Sequence, residues 1–493
     1  MTDVAQLLLP AIRWDAKNGF EAHREAIDFA LDRGVGGFII FGGQRDAVRK
    51  LTDELRSRSK IPLLIGADLE RGAGQQFAGC IGLPPLAGIA SLGDLDLLKG
   101  AAALTAREAL SVGINWIYAP VCDLDIEPNN PIVGTRALGS DPQLVASMAT
   151  SWISACQNVG ALACAKHFPG HGRTTADSHA ELPVVDVSAE TLAETDLVPF
   201  EAAVEEGVAA VMTAHVAYPA LDPSRMPATL SRPILWDTLR GDLGFPGLIV
   251  TDALIMEGVL GGGETVAVVK ALSAGCDLLL YPTNLGACID AIQKALDDGQ
   301  LNADEIQLSL DRRNRWAEWA NRKHGSPHVT PDDEVWAEQL ADRAVHRVRG
   351  DSLNVADKVD VIVVDDDLGG PYPTPPRKPF VDKLNANGIA AEMRDTPSGN
   401  SDTGVIIALF GDIRSWKGRP GYSSASLDAV RKALDAARET RQETTIVQFS
   451  HPRLAASIPE GAPILCAWGG ESVMQRAAAR ILASSKAAAI TSR

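Results

Sequence analysis

A chain of 493 residues is long enough for two domains, each with its own hydrophobic core. Its composition, with 46% hydrophobic and 22% charged residues, is that of an ordinary globular protein. A net charge of −17 argues against nucleic acid or an anionic membrane as the main partner, because both are themselves negatively charged.

The first residues carry no basic segment followed by an apolar run, so we expect no signal peptide. Apolar runs such as 278–280 are too short to span a bilayer. The seven cysteines are spread along the chain without a Cys-x-x-Cys pair, which predicts neither a disulfide framework nor a zinc site. The expectation is a cytoplasmic protein without a cofactor.

Short apolar runs alternate with longer helical patterns through the first two-thirds of the chain, which is typical of a parallel sheet with crossover helices. Helices are expected between the runs, for example over 46–59 and 189–206. The predicted strands are 6–12, 36–41, 62–67, 115–119, 162–166, 209–214, 248–251 and 277–281. Eight such units predict a closed (β/α)8 barrel of the TIM type over residues 1–325.

Charged or imidazole side chains follow five of the eight predicted strands. They are Asp68, Asp123, Lys166 with His167, His215 and Asp252. In a barrel of this type the catalytic groups lie at the carboxyl ends of the strands. We therefore expect these side chains to meet at one mouth.

Beyond residue 325 the sequence predicts a linker, 326–355, with a helix over 334–349. A second series of apolar runs and helical patterns then predicts a smaller α/β-sandwich domain over 356–493. Its predicted strands are 359–364, 404–409, 444–449 and 464–467, and its predicted helices are 424–440 and 471–484.

The strongest local signal is the loop 166–172, which contains a lysine and two histidines between glycines and a proline. Asp177 and His179 follow it, and an aspartate two residues before a histidine can orient the imidazole and stabilise its charged form. This arrangement suits proton transfer near neutral pH. Histidines also bind zinc, but no His-x-x-x-His helix or cysteine pair accompanies them, so we expect no metal.

A second signal is the apolar run 248–251, which ends in the single carboxylate of Asp252. Asp252 either caps a following helix or acts as a nucleophile that forms a covalent intermediate. Asp68 with Glu70, and Arg136, either form structural ion pairs or bind hydroxyl and amide groups through paired hydrogen bonds.

Together and in this order, these segments resemble glycoside hydrolase family 3, and within it the β-N-acetylglucosaminidase branch. The segments that carry the resemblance are 68–70, 119–123, 134–136, 166–172 with 177–179, 212–219, 227–231 and 251–254. The second domain resembles the family's C-terminal α/β sandwich less specifically, through residues 465–470.

The resemblance implies a retaining exo-glycosidase. Asp252 attacks the anomeric carbon, His179 protonates the leaving oxygen, and Asp177 orients the imidazole. His179 then deprotonates water, so the anomeric configuration is retained. The residues expected to hold the sugar are Asp68, Arg136, Lys166, His167 and His215.

The position of the proton donor favours N-acetylglucosamine over glucose, because the family's β-glucosidases draw their acid/base carboxylate from the second domain. There are departures from the branch. Where it shows Asp-x-Glu-Gly-Gly-Arg-Val-x-Arg, both arginines are replaced here and Arg71 stands at a glycine position, which leaves the leaving-group preference open. Ala253 stands where many relatives carry a second aspartate.

Three alternatives remain. The chain could be a β-glucosidase or broad-specificity β-glycosidase of the same family, or a phosphorylase in which phosphate replaces water. A non-catalytic sugar-binding protein is a third, against which the intact Asp177, His179 and Asp252 argue. The expected partner is an oligosaccharide containing N-acetylglucosamine, from cell wall or chitin, and the sequence does not fix the oligomeric state.

Overall fold

The computed structural model describes residues 3–176, 182–256, 259, 262–322, 328–353, 355–368, 374–413 and 417–491. The strands are β1 Leu8–Leu9, β2 Ala11–Arg13, β3 Gly37–Phe41, β4 Leu64–Ala67, β5 Trp116–Ile117, β6 Leu162–Phe168, β7 Ala210–Thr213, β8 Leu248–Val250, β9 Leu279–Leu280, β10 His346–Arg349, β11 Lys358–Asp365, β12 Ala390–Arg394, β13 Gly404–Phe410, β14 Thr444–Phe449 and β15 Ile464–Cys466.

The helices are α1 Arg24–Arg33, α2 Arg45–Arg58, α3 Leu86–Ala90, α4 Leu95–Ser111, α5 Pro142–Val159, α6 Ala189–Glu194, α7 Val198–Glu205, α8 Glu264–Ala274, α9 Leu285–Asp297, α10 Ala303–Ala320, α11 Pro331–Ala344, α12 Lys378–Ala386, α13 Ser424–Glu439 and α14 Ser472–Thr491. A π-helical segment spans Pro233–Asp242. Among these helices none combines the length and the apolar character needed to cross a bilayer.

The chain folds into two compact units. The first comprises Met1–Ile81, Leu95–Glu127 and Ala137–Thr330. The second comprises Gly82–Asp94, Pro128–Arg136 and Pro331–Arg493, so two short excursions of the N-terminal part of the chain belong to it.

The first unit contains a parallel sheet in which β2 to β8 lie side by side in chain order. β1 and β9 form a parallel pair of their own, and a bridge links Val250 at the end of β8 with Leu278. Apart from β2 and the last residue of β3, the strands are buried on both faces, as expected where helices cover a parallel sheet. The core inside the sheet takes alternate residues of each strand, among them Leu9, Ile39, Leu64, Tyr118, Leu162, Cys164, Met212, Val250 and Leu280.

Local sequence signals set the helix ends. The carboxylate of Asp141 accepts hydrogen bonds from the backbone N–H groups of Gln143 and Leu144, and Pro142 occupies the first turn of α5. Gly160 ends the same helix at φ 110°, a left-handed conformation that glycine adopts without steric cost.

Two predicted elements of the first unit are divided in the structure. The strand predicted over 6–12 is a 3-10 turn at Val4–Leu7 followed by β1 and β2, which Pro10 separates because it has no N–H to donate. The helix predicted over 189–206 is two helices, α6 and α7. Thr195 leaves the helical conformation between them, and Pro199 lies in the first turn of α7.

The second unit is a six-stranded sheet in the order β10-β15-β14-β13-β11-β12, parallel except for β10, which pairs antiparallel with β15. Apolar side chains of the central strands point alternately to the two faces of the sheet, and each face carries its own hydrophobic core. One core includes Ile406 and Phe410 with residues of α12 and α14, and the other includes Ile407 and Leu409 with residues of α13. The unit is therefore a sheet between two helical layers, as predicted.

Four elements of the second unit differ from the prediction. The helix predicted over 334–349 is α11, which ends at Ala344, and His346–Arg349 form strand β10. Strand β12 and helix α12 were not predicted. Both missed strands lie at the edges of the sheet, where most of their residues are partly or fully exposed, so they lack the apolar pattern of a buried strand.

Candidate active site

Asp68, Lys166 and Asp252 stand at the carboxyl ends of β4, β6 and β8. Lys166 and Asp252 lie two residues beyond the core residues Cys164 and Val250, and Asp68 lies four residues beyond Leu64, so the strand alternation directs all three side chains to the face of the sheet that carries the core. Burial raises the pKa of the Cys164 thiol. The charge of Lys166 opposes this shift, whereas the charges of Asp68 and Asp252 add to it. All three charges act on this thiol, as expected for side chains at one edge of the sheet, where β4 and β8 each lie two strands from β6.

Lys166 is the buried cation of this group. Its Nζ lies 2.8 Å from Asp68 Oδ1 and 2.7 Å from Glu70 Oε1, and its side chain is 2% exposed. The Glu70 side chain is 5% exposed, but that of Asp68 is 32% exposed and faces solvent in part. Glu70 and Lys166 can thus hold Asp68 in place, while Asp68 retains an accessible carboxylate edge. The sequence placed Glu70 in a motif but not among the site residues.

A β-bulge at His167 lies next to Lys166, where the register between β6 and β7 shifts from Lys166 to Phe168. A bulge redirects side chains that strict alternation would send to opposite faces. His167 Nδ1 lies 2.7 Å from Asp123 Oδ2, and the backbone N–H of His167 donates to Asp123 Oδ1 at 3.1 Å. A carboxylate only accepts, so Nδ1 carries the proton and Nε2 is the acceptor in neutral His167.

Asp123 is fully buried, and its Oδ1 also accepts from the backbone N–H of His171 at 2.6 Å. Burial would raise the pKa of Asp123, but the charge and hydrogen bonds of His167 and His171 outweigh it and hold the pKa below its ordinary value. Asp123 therefore organises the loop 166–172 as an anion. The sequence analysis expected Asp123 at the mouth from its position after a strand, but assigned it no role.

His171 is the second histidine of the loop. Burial lowers its pKa to about 4, although the charge of Asp123 opposes the shift, so His171 is neutral at neutral pH. Its Nδ1 lies 2.8 Å from the hydroxyl of Thr174. A Cβ on Gly172 would collide with the carbonyl oxygen of Leu124, which explains the glycine there. Asp177 and His179, the predicted proton-transfer pair, lie outside the described residues.

His215 follows β7 and is 1% exposed. Its Nδ1 lies 2.7 Å from the Thr229 hydroxyl, and its Nε2 lies 3.2 Å from the Ala253 carbonyl oxygen, to which it donates because a carbonyl only accepts. Both ring nitrogens thus contact the protein, and one holds the residue next to Asp252. This geometry favours a supporting role for His215.

Asp252 is partly exposed, and its Oδ1 accepts from the backbone N–H of Ala253 at 2.7 Å. The next helix along the described chain, α8, begins at Glu264 after Gly263. Asp252 therefore does not cap that helix, and the structural alternative for this carboxylate falls away.

Arg136 belongs to the second unit, in a 3-10 turn over Gly134–Arg136. Its backbone N–H donates to Val133 and its Nη1 to the Ile132 carbonyl at 3.3 Å. Asn130 Oδ1 in turn accepts from the N–H groups of Ile132 and Val133, which fixes the turn. In the described part of the chain, no group of three or more His, Cys, Asp and Glu side chains is arranged to hold a metal ion.

Comparison with known proteins gives a consistent result. The model of the glycosyl hydrolase family 3 N-terminal domain matches residues 2–315. A β-hexosaminidase of Thiobacillus denitrificans is 35% identical over 328 residues, which cover 64% of this chain and 87% of that relative. A β-N-acetylglucosaminidase/β-glucosidase of Cellulomonas fimi is 34% identical over 294 residues, 57% of this chain and 52% of the relative. The chain thus spans about half the length of that protein.

Solved structures extend the likeness to both units. A glycoside hydrolase family 3 β-N-acetylglucosaminidase from Paenibacillus sp. str. FPU-7 has a TM-score of 0.84 at 25% identity, over 98% of this chain and 96% of that one. A β-glucoside phosphorylase has a TM-score of 0.85 at 24% identity, over 98% and 91%, which demonstrates a common fold only.

Proposed function

Because the chain belongs to glycosyl hydrolase family 3, we propose that it is a retaining, exo-acting β-N-acetylglucosaminidase. The observation that carries the proposal is the group formed by Asp68, Lys166 and Asp252 at the carboxyl ends of three strands. The names of the relatives that match at 34–38% identity, most of them β-hexosaminidases, support the substrate class.

We propose a closed (β/α)8 barrel as the frame of this site. The β1–β9 pair and the Val250–Leu278 bridge support closure, since they join the two ends of the seven-stranded sheet. Residues 1–325 would form this catalytic domain, 326–355 a linker and 356–493 the second domain. The excursions 82–94 and 128–136 would then be insertions that join the second unit.

In the proposed reaction Asp252 attacks the anomeric carbon and forms a covalent glycosyl ester. Its partial exposure at a strand end supports this role. His179, oriented by Asp177, protonates the leaving oxygen and afterwards deprotonates the water that hydrolyses the ester. These two roles rest on the sequence resemblance.

Sugar binding would fall to the residues around Lys166. Asp68 offers its exposed carboxylate edge to sugar hydroxyls, and Lys166 and His167 lie beside it on the bulged strand. Arg136 is proposed as a further sugar ligand, from the resemblance. For His215 we propose support of the Asp252 segment instead of direct contact with the sugar, because both of its ring nitrogens already contact the protein.

A substrate-profile assay tests this function. The enzyme should turn over nitrophenyl β-N-acetylglucosaminide much faster than nitrophenyl β-glucoside, and without a requirement for phosphate. Faster turnover of the glucoside would make it a β-glucosidase. A rate that rises with phosphate and yields a sugar phosphate would make it a phosphorylase, the second candidate, which the fold of the β-glucoside phosphorylase leaves open. A cytoplasmic location and a cell-wall or chitin-derived substrate remain predictions from the sequence.

A further inference from the structure

A cluster of three side chains lies at strand ends of the first unit, outside the residues discussed so far. Arg13 ends β2, Phe41 ends β3, and Tyr281 directly follows β9. Arg13 Nε donates to the Tyr281 hydroxyl at 2.6 Å, and its Cζ lies 4.0 Å from the centroid of the Phe41 ring. The two aromatic rings are 5.7 Å apart. We call these three residues the Arg13 cluster.

The Arg13 cluster faces the same side of the sheet as the candidate active site. Leu9 and Ile39 belong to the core inside the sheet. Because side chains alternate along a strand, Arg13 points to the same face as Leu9, and Phe41 points to the same face as Ile39. Arg13 and Phe41 are also register partners across β2 and β3. Asp68, Lys166 and Asp252 continue the same core on their strands.

Tyr281 reaches the cluster by a different route. Its φ is 60°, a left-handed conformation that bulky residues rarely adopt. This turn breaks the alternation after Leu280 and lets the phenol meet Arg13. A tyrosine held in this conformation points to a requirement for its side chain at this place.

The Arg13 cluster is partly exposed. Leu9 and Ile39 are at most 1% exposed, whereas Ala11, Arg13, Phe41 and Tyr281 are all partly exposed although the first three continue the same inner face. The strand registers and the shear of about 8 that is usual for a (β/α)8 barrel fix how far each residue lies along the barrel axis. In the proposed barrel they place Ala11 at the same level along this axis as Asp68, Lys166 and Asp252. At this level β4, β6 and β8 carry the charged side chains, whereas β2 carries only the methyl group of Ala11.

We infer that the Arg13 cluster is the wall of the sugar site that recognises the hydroxymethyl group of the bound hexose. This inference rests on the proposed glycosidase function. In an eight-stranded barrel the strand of Arg13 is opposite the strand of Lys166, so the two would contact opposite edges of one sugar ring.

The chemistry of the cluster suits the hydroxymethyl group. The Arg13 guanidinium only donates, and the Tyr281 hydroxyl, which already accepts from Arg13, has its own hydrogen to offer. A primary hydroxyl oxygen can accept from both while its methylene packs on the Phe41 ring. Among these three side chains, an amide N–H would have only the second lone pair of the Tyr281 oxygen as its acceptor.

Three nitrophenyl glycosides that differ by one group test the inference: the 2-acetamido-2-deoxy-β-glucoside, the 2-acetamido-2-deoxy-β-xyloside, which lacks the hydroxymethyl group, and the β-glucoside, which lacks the acetamido group. On both hexosides kcat/KM should fall about tenfold in Tyr281→Phe and about 10- to 100-fold in Arg13→Met, since hydrogen bonds from charged donors are the stronger ones. On the xyloside each variant should change it by less than about threefold. Arg33→Met is the matched control, because Arg33 covers the Phe29 ring on the surface of α1 at 5.2 Å from its centroid. It should leave all three values unchanged.

Equal losses on all three substrates would overturn the inference and reduce the Arg13 cluster to a structural role. Losses confined to the two acetamido substrates would overturn it as well, and would move the acetamido group to this wall. Binding of free N-acetylglucosamine and of 2-acetamido-2-deoxyxylose, measured by calorimetry in Asp252→Asn with and without Tyr281→Phe, separates this test from the proposed function. If Asp252→Asn binds the hexose preferentially through Tyr281 but the wild type hydrolyses no glycoside, the proposed function alone is contradicted.

Discussion

Both units of the molecule gather charged side chains at the carboxyl ends of parallel strands, but they use them differently. In the second unit Asp365 ends β11, and Asp366 and Asp367 follow it. Lys417 Nζ lies 2.7 Å from Asp367 and 3.4 Å from Asp366, and the side chains of all three are at most 2% exposed. Arg377 binds Asp365 at 2.8 and 3.0 Å, and Asp367 at 3.0 Å.

In the first unit the corresponding charges are less completely buried. Lys166 is as buried as Lys417, but its partner Asp68 keeps about a third of its side chain in solvent, and Asp252 is also partly exposed. Topology alone thus places charges at the strand ends in both units. The two units differ in that Asp68 and Asp252 of the first unit are partly exposed and so accessible to a ligand, whereas Asp366, Asp367 and Lys417 of the second unit are buried.

The largest effect should come from the nucleophile itself. Asp252→Ala should lower kcat by roughly 10⁴-fold or more, because removal of a catalytic nucleophile costs nearly the whole covalent pathway. Circular dichroism should show an unchanged fold. Asp290→Ala, which removes an exposed carboxylate from α9, is the control and should retain full activity. Substantial turnover in Asp252→Ala would break the distinction between the two strand-end clusters.

His179→Ala should lose activity by about 10²- to 10⁴-fold on disaccharides, the range typical of general acid catalysis. The loss of the glycosylation rate on nitrophenyl substrates should be much smaller, because nitrophenolate leaves without a proton. Asp177→Ala should follow the same pattern more mildly, since the imidazole remains. Equal losses on both substrate classes would mean that His179 only shapes the site.

A matched pair of cation replacements compares the two units directly. Lys166→Met should lower kcat/KM by about 100-fold or more because it disturbs Asp68 at the site. Arg377→Met should keep kcat/KM of the folded protein nearly constant. Both variants should lower the free energy of unfolding by about 3–5 kcal/mol, because each removes a cation from a buried carboxylate, Glu70 in the first unit and Asp367 in the second. Denaturant unfolding and steady-state kinetics on both variants measure the split. A loss of stability without a loss of activity in Lys166→Met would contradict the account.

The smallest effect concerns pH. The pKa of His171 is about 4 in the folded protein and 6.5 in its ordinary range, so the unfolded chain binds the extra proton more tightly between these values. The stabilisation is therefore complete above pH 6.5 and is lost as pH falls toward 4, by about 2–3 kcal/mol at pH 4.5. The test measures the free energy of unfolding at pH 7 and at pH 4.5 in the wild type and in His171→Gln. The decrease between these two pH values should be smaller in the variant by about 2–3 kcal/mol. An identical acid loss in the variant would show that other groups cause it.

The sequence predicted the buried strands well because each is a short apolar run, and all eight runs of the first unit contain strand residues. It missed β10 and β12 because edge strands such as His346–Arg349 carry polar, exposed side chains. The family prediction is confirmed by the family-model match. The sequence did not predict which groups the carboxylates of Asp123 and Glu70 contact, because these contacts form between different strands.

Covalent trapping tests the central claim, that the open strand-end cluster of the first unit is a retaining glycosidase site. A 2-fluoro sugar with a good leaving group should form a stable glycosyl ester, because the fluorine slows the second displacement more than the departure of the activated leaving group. Mass spectrometry of the digested protein should find one labelled peptide, with the label on Asp252. A label on any other residue, or reaction without a covalent adduct and with inversion of the anomeric centre, would contradict the account.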